Sequence, residues 1–192
     1  MTTPPLISHE HKESELMSSE PSRPTHGNEM FGAILGWWSK LHGVAENEGG
    51  HTPNLRGELA ELRRCHDLHA VVMSRGYQRL RQALTAHDYA HEQLAAIALV
   101  LAHVKVHDAE AGSFGRTCGM CEAEHKPPVS EARFQRLIRM TERSDASEAI
   151  RRMLPLVSQR ASVSQLAKDL YFWSEATRRR WVSDFYDAAQ IL

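Results

Sequence analysis

Arginine and histidine are the residue types whose spacing could do chemistry in this chain. Arg133, Arg136, Arg139 and Arg143 recur every three or four residues. On one helix, advancing about 100° per residue, they fall at roughly 0°, −60°, −120° and −80°, with Phe134, Leu137 and Ile138 on the other side. Such a helix buries its apolar face and presents four guanidinium groups. Arg151-Arg152 lies downstream and Arg63-Arg64 upstream. Guanidinium forks match phosphate oxygens two at a time and keep their charge at any physiological pH. Glu131, Glu142 and Glu148 offer local partners, so the same face also reads as an ordinary solvated surface. Four like charges this close repel one another, which favours a polyanionic partner.

Histidine is abundant, at 12 residues. His87 and His91 share a helical face, as do His103 and His107. Cys118-Gly119-Met120-Cys121 follows the second pair, and then His125. His103, His107, Cys118 and Cys121 have the spacing of a tetrahedral zinc set, run in the reverse order to a zinc finger. The competing reading is a loop with two reduced thiols and surface histidines, and no metal or other cofactor is assigned. Cys65 falls on an apolar stripe and reads as a small core residue. Catalytic motifs are missing: there is no GxSxG, no glycine-rich phosphate loop and no HExxH. The chain is expected not to be an enzyme.

These side chains must be held by helices. Residues 1–28 are polar, with Pro at 4, 5, 21 and 24, and read as a disordered tail. From Met30 onward, Phe31, Ile34, Leu35, Trp38 and Leu41 follow the i, i+3, i+4, i+7 pattern. A second helix carries Leu55, Leu59 and Leu62, and a short third carries Tyr77, Leu80 and Leu84. The most apolar helix holds Leu94, Ile97, Ala98, Leu101 and Val104 and fades near His107. Residues 108–128, with Gly112, Gly115, Gly119 and Pro127-Pro128, read as a loop.

Four more helices follow: one from Ser130, one from an Asp145/Glu148 capping box, one from Ser162/Gln165, and one from about Glu175 to the C-terminus. Pro155 predicts a kink or an end near Val157. Period-2 alternation is absent. The expected fold is all-α, with about eight helices in two packed groups: residues 29–107 as an N-terminal lobe and 129–192 as a C-terminal bundle. Trp37, Trp38, Trp173 and Trp181 read as core packing rather than base stacking, although adjacent Trp37 and Trp38 cannot share one face, which leaves an interface open to one of them.

The chain has 192 residues, 42% hydrophobic and 24% charged, enough for a sizeable core. Lys+Arg 23 against Asp+Glu 24 excludes a strongly basic nucleic-acid tail as the basis of function. The balance is local, however: residues 129–192 hold eleven bases and eight acids. No apolar run is long enough to span a membrane, no signal peptide is apparent, and three cysteines make no disulfide scaffold. A reducing cytoplasm is the expected compartment.

Several segments together resemble a known family: Trp37-Trp38, LRRC (62–65), YQRL (77–80), VSEARFQRLIR (129–139), AIRRML (149–154) and VSQLAKDLYFWSEATRRRWVSDFY (163–186). The chain is similar to the small subunit of the type I-E CRISPR surveillance complex Cascade, the CasB family, over roughly residues 30–107 and 129–192. The tail and the CGMC loop fall outside the resemblance. It implies an all-helical, non-enzymatic subunit, present in two copies on an assembly built around a CRISPR RNA. Its partners would be other Cascade subunits, the guide RNA, and the target and displaced DNA strands. It would hold the R-loop open in antiviral defence while guide pairing reads the sequence. Carried across, the basic positions are Arg63 and Arg64 of LRRC, Arg139 of LIR, Arg151 and Arg152 of IRRM, and Arg143. Arg136 joins them from the helical-face argument alone. The alternative function is a helical protein–protein scaffold with no direct nucleic-acid contact, and a metal-dependent helical enzyme built on the four paired histidines is a third.

Overall fold

The computed structural model describes residues 26–44, 55–121 and 126–190. Residues 1–25, and with them most of the expected tail, lie outside that description, as does His125.

Ten α-helices carry the described chain. Helix α1 (His26–His42) is followed by α2 (Arg56–Arg64), α3 (Leu68–Met73), α4 (Arg75–Ala83) and α5 (His91–Leu101). Then come α6 (Phe114–Gly119), α7 (Glu131–Ile138), α8 (Arg143–Met153), α9 (Val163–Tyr171) and α10 (Glu175–Ala189). A two-residue parallel pair joins β1 (Val106–His107) to β2 (Arg160–Ala161) and is the only strand structure among the described residues. The all-α reading holds.

Helix α5 lies at the centre because it has no polar face to show. Every residue from Leu94 to Leu101 is buried, so it needs cover on all sides. It receives that cover from α3, α4, α8 and α9. Helix α1 packs against α2, α4 and α9, which explains its paired tryptophans. Trp37 donates its indole N–H to the Gly76 carbonyl (3.0 Å) and Trp38 to the Val104 carbonyl (3.1 Å). Both are buried, so neither tryptophan faces an open interface in this chain.

Three local expectations change. Residues 68–73 form a helix of their own, capped by Asp67, whose carboxylate accepts from Ala70 N (2.7 Å). The expected loop 108–128 contains α6, a buried helix capped by Ser113. Its glycines signal close approach rather than flexibility. A Cβ on Gly115 would sit 2.5 Å from the Trp181 carbonyl oxygen, and one on Gly119 would sit 2.3 Å from that of Phe185. Helix α6 thus lies backbone to backbone along α10. Finally, α8 begins at Arg143, two residues before the expected Asp145/Glu148 box, and ends at Met153, where the Pro155-containing 3₁₀ turn Leu154–Val157 takes over.

Candidate nucleic-acid interface

The four-arginine face does not lie on one helix. Helix α7 ends at Ile138, with Arg139 as its C-cap, and Arg143 opens α8. Arg133, Arg136 and Arg139 remain as a row at i, i+3, i+6, all exposed, while Phe134 and Leu137 are buried beneath. Successive members are about 4.5 Å apart along the axis. None of the three guanidinium groups bonds or pairs with another described residue, so the row is free to meet an anion.

Arg143 belongs to a second group of arginines, whose partners are main-chain carbonyls. Its Nε donates to the Leu170 carbonyl (2.8 Å) and its Nη2 to that of Tyr171 (3.3 Å), at the end of α9. Arg63 Nε donates to the Ala102 carbonyl (2.8 Å), just past α5. Arg151 Nη1 reaches the Cys65 carbonyl (3.1 Å), the C-cap of α2, and Arg178 Nη1 reaches Ile138 (3.2 Å), the last residue of α7. A helix C-terminus exposes carbonyls without intrahelical partners and carries partial negative charge, so a guanidinium from a neighbouring helix satisfies both. Four helix ends are held this way.

Arg64 and Arg152 are exposed. Arg64 donates to the Ala60 carbonyl of its own helix (3.0 Å), and Arg152 pairs with Glu148 one turn back. The seven sequence-derived arginines therefore divide. Arg64, Arg136, Arg139 and Arg152 point to solvent, and Arg63, Arg143 and Arg151 clasp helix ends. Arg133, absent from the family positions, joins the first set, and its sequence signal was its place in the helical row. Arg79 is committed elsewhere, to a two-pronged pair with Glu58 (2.8 and 2.7 Å) that lowers the Glu58 carboxyl below its ordinary range.

The candidate zinc set does not gather. His107 Nδ1 accepts from Val163 N (3.1 Å), and Cys118 is sealed inside α6, where burial pushes its thiol up. His91 faces the Tyr77 hydroxyl (3.1 Å). Among the described residues no three His, Cys, Asp or Glu side chains are placed to hold a metal ion.

His103 instead sits beside Arg63 and Arg151, and so does His42 beside Arg63. Burial, reinforced by those charges, lowers both rings to about 4, so both are neutral at pH 7. This corner brings Arg63-Arg64 and Arg151-Arg152, 87 to 89 residues apart by their end numbers, within one hydrogen bond of each other through Cys65.

The described residues thus define an all-helical protein whose open chemistry is a set of exposed guanidinium groups, and none of its described helices is long and apolar enough to cross a membrane. Residues 58–186 match the family described as CRISPR-associated protein Cse2, and the chain belongs to that family. The fold is shared with a chain in the crystal structure of E. coli Cascade bound to a PAM-containing double-stranded DNA target, with a TM-score of 0.62 at 18% identity. The match covers 82% of this chain and 96% of that one. No curated relative matches.

Proposed function

We propose that the chain is a non-catalytic subunit of a CRISPR RNA-guided DNA surveillance complex of the Cascade type, acting in the cytoplasm. It holds nucleic-acid backbone without reading sequence and so stabilises the R-loop during target recognition. Family membership supplies the assembly, and the observation that carries the binding role is the unpartnered row Arg133, Arg136 and Arg139 on α7. Arg64 and Arg152 extend the contact. Arg63, Arg143 and Arg151 act as positioning residues that fix the helix ends from which the others project. Its partners are other subunits, a second copy of itself, the CRISPR RNA, and the phosphates of the target and displaced strands.

Phosphate contacts position a protein on DNA and carry no sequence information, so guide pairing is left to specify the target. Each neutralised phosphate releases counterions, so affinity falls steeply with salt. A mobility-shift titration against unrelated 40-mers of single- and double-stranded DNA, at two salt concentrations, tests the reading. Sequence-blind, salt-sensitive binding is expected. Strong preference for one duplex over scrambled ones would sink it. The exposed pairs Arg152–Glu148 and Arg179–Glu175 favour a second reading, a scaffold whose arginines meet acidic groups and not nucleic acid. Under that reading, charge reversal at Arg136 and Arg139 would block assembly even with no DNA present.

A further inference from the structure

Away from the arginine row, the turn after α8 meets α6 and the β1/β2 pair in a surface depression. Its floor is apolar: Pro128 and Val157, with Met120 and Leu156 each 38% exposed. Val106, paired with Arg160 across the two strands, is 42% exposed. Two of the six large apolar side chains exposed on the described surface, Met120 and Leu156, line the depression itself. Lys126 and Arg160 stand at the rim. Lys126 has no partner among the described residues, and Arg160 gives only Nη1 to Asp108 (3.3 Å), leaving its other N–H groups open.

The wall is built from strained backbone. Ser158 and Gln159 both take the left-handed conformation (φ 55° each) without being glycine. The turn is held there by Gln159 N to the Leu154 carbonyl (2.8 Å), and by Lys105 N and Val106 N to the Gln159 carbonyl (2.8 and 3.2 Å).

We infer that this depression is a docking site for a segment of a partner protein that carries a carboxylate next to a large apolar side chain. The apolar residue covers Met120, Leu156 and Val157, and the carboxylate meets Lys126 and Arg160. Nucleic acid fits this apolar floor poorly, because among the described residues no aromatic ring lines the depression to stack a base. The inference rests on the proposed role as a subunit of an assembly, and it adds a protein-facing surface separate from the DNA-facing one.

The test uses Leu156→Asp and Lys126→Glu, both exposed positions, in the full chain. Each variant is reconstituted with the remaining subunits and guide RNA, and incorporation is read by native mass spectrometry. DNA binding by the isolated chain is measured in parallel. The expected result is at least tenfold lower incorporation, with DNA affinity within twofold of wild type and unchanged circular dichroism. Should Leu156→Asp lose helix, Lys126→Glu alone decides. Wild-type incorporation of the variants overturns the inference and leaves the subunit reading intact. A wild-type chain that never incorporates defeats both. A photo-crosslinker at Leu156 then reports the occupant: an acidic-apolar segment of another subunit supports the proposal, and a second copy of this chain or a nucleotide overturns it.

Discussion

Two arginines can look alike in sequence and do opposite things, and their partners decide which. Arg139 ends α7 with its guanidinium free, whereas Arg143, four residues on, spends two N–H groups on the carbonyls of Leu170 and Tyr171. Replacing both Arg136 and Arg139 with Ala removes charge and nothing structural. DNA affinity of the isolated chain should fall at least tenfold at low salt, the slope of affinity against salt should shrink by about 2, and the melting temperature should stay put. Arg143→Ala should do the reverse. It leaves two carbonyls at the end of α9 without their donors, a loss of about 1–3 kcal/mol. Thermal denaturation would show it, and an unchanged melting temperature would return Arg143 to the binding set. Arginine periodicity made the α7 row legible in the sequence. The division between free and clasped groups was not, because a carbonyl 27 residues away leaves no mark in local spacing.

At the scale of elements, the two helices that sequence reading passes over, α3 and α6, are the shortest, at 6 residues each. A 3.6-residue period needs two or three turns to declare itself, and neither has them. In α6 the signal also points the wrong way, since Gly115 and Gly119 read as loop punctuation. Their actual role is to let α6 approach the backbone of α10 at Trp181 and Phe185. Gly119→Ala is therefore not a harmless helix-favouring change. It places a methyl group 2.3 Å from the Phe185 carbonyl oxygen, and the two helices must separate. Such overpacking destabilises by about 1–3 kcal/mol, readable as a lower urea midpoint. An increase in stability would mean that α6 is free to shift. The longer elements were legible for the opposite reason. The apolar run from Leu94 to Leu101 admits only a helix buried on all sides, and Pro155 ends α8 where its missing N–H says it should.

The whole molecule is knit at the corner where α2, α5 and α8 meet, and that corner responds to acid. Arg63 ties α2 to the end of α5, and Arg151 ties α8 to the end of α2. Beside them lie His42 and His103, whose Nε2 atoms are buried with no partner among the described residues. Burial is the main cause that lowers both rings to about 4, from an ordinary value of 6.5. Arg63 adds to it for His42, and Arg151 and then Arg63 add to it for His103, while a hydrogen bond with the Leu101 main chain partly opposes it for His42. The folded chain therefore binds fewer protons than the unfolded chain between about pH 6.5 and pH 4. Stability from these rings is complete above pH 6.5 and is lost as pH falls through that window. Both rings are partly open to solvent, so screening leaves each effect on the order of 1 kcal/mol. In a chain of this size that lowers the melting temperature by about 2–4 °C per ring. The expected result is a melting temperature that falls from pH 7 to pH 5, and a profile that flattens in His42→Gln/His103→Gln, where nothing at the corner titrates. A double variant that kept the wild-type slope would assign the acid response to the other histidines. It would also leave this junction of arginines indifferent to pH.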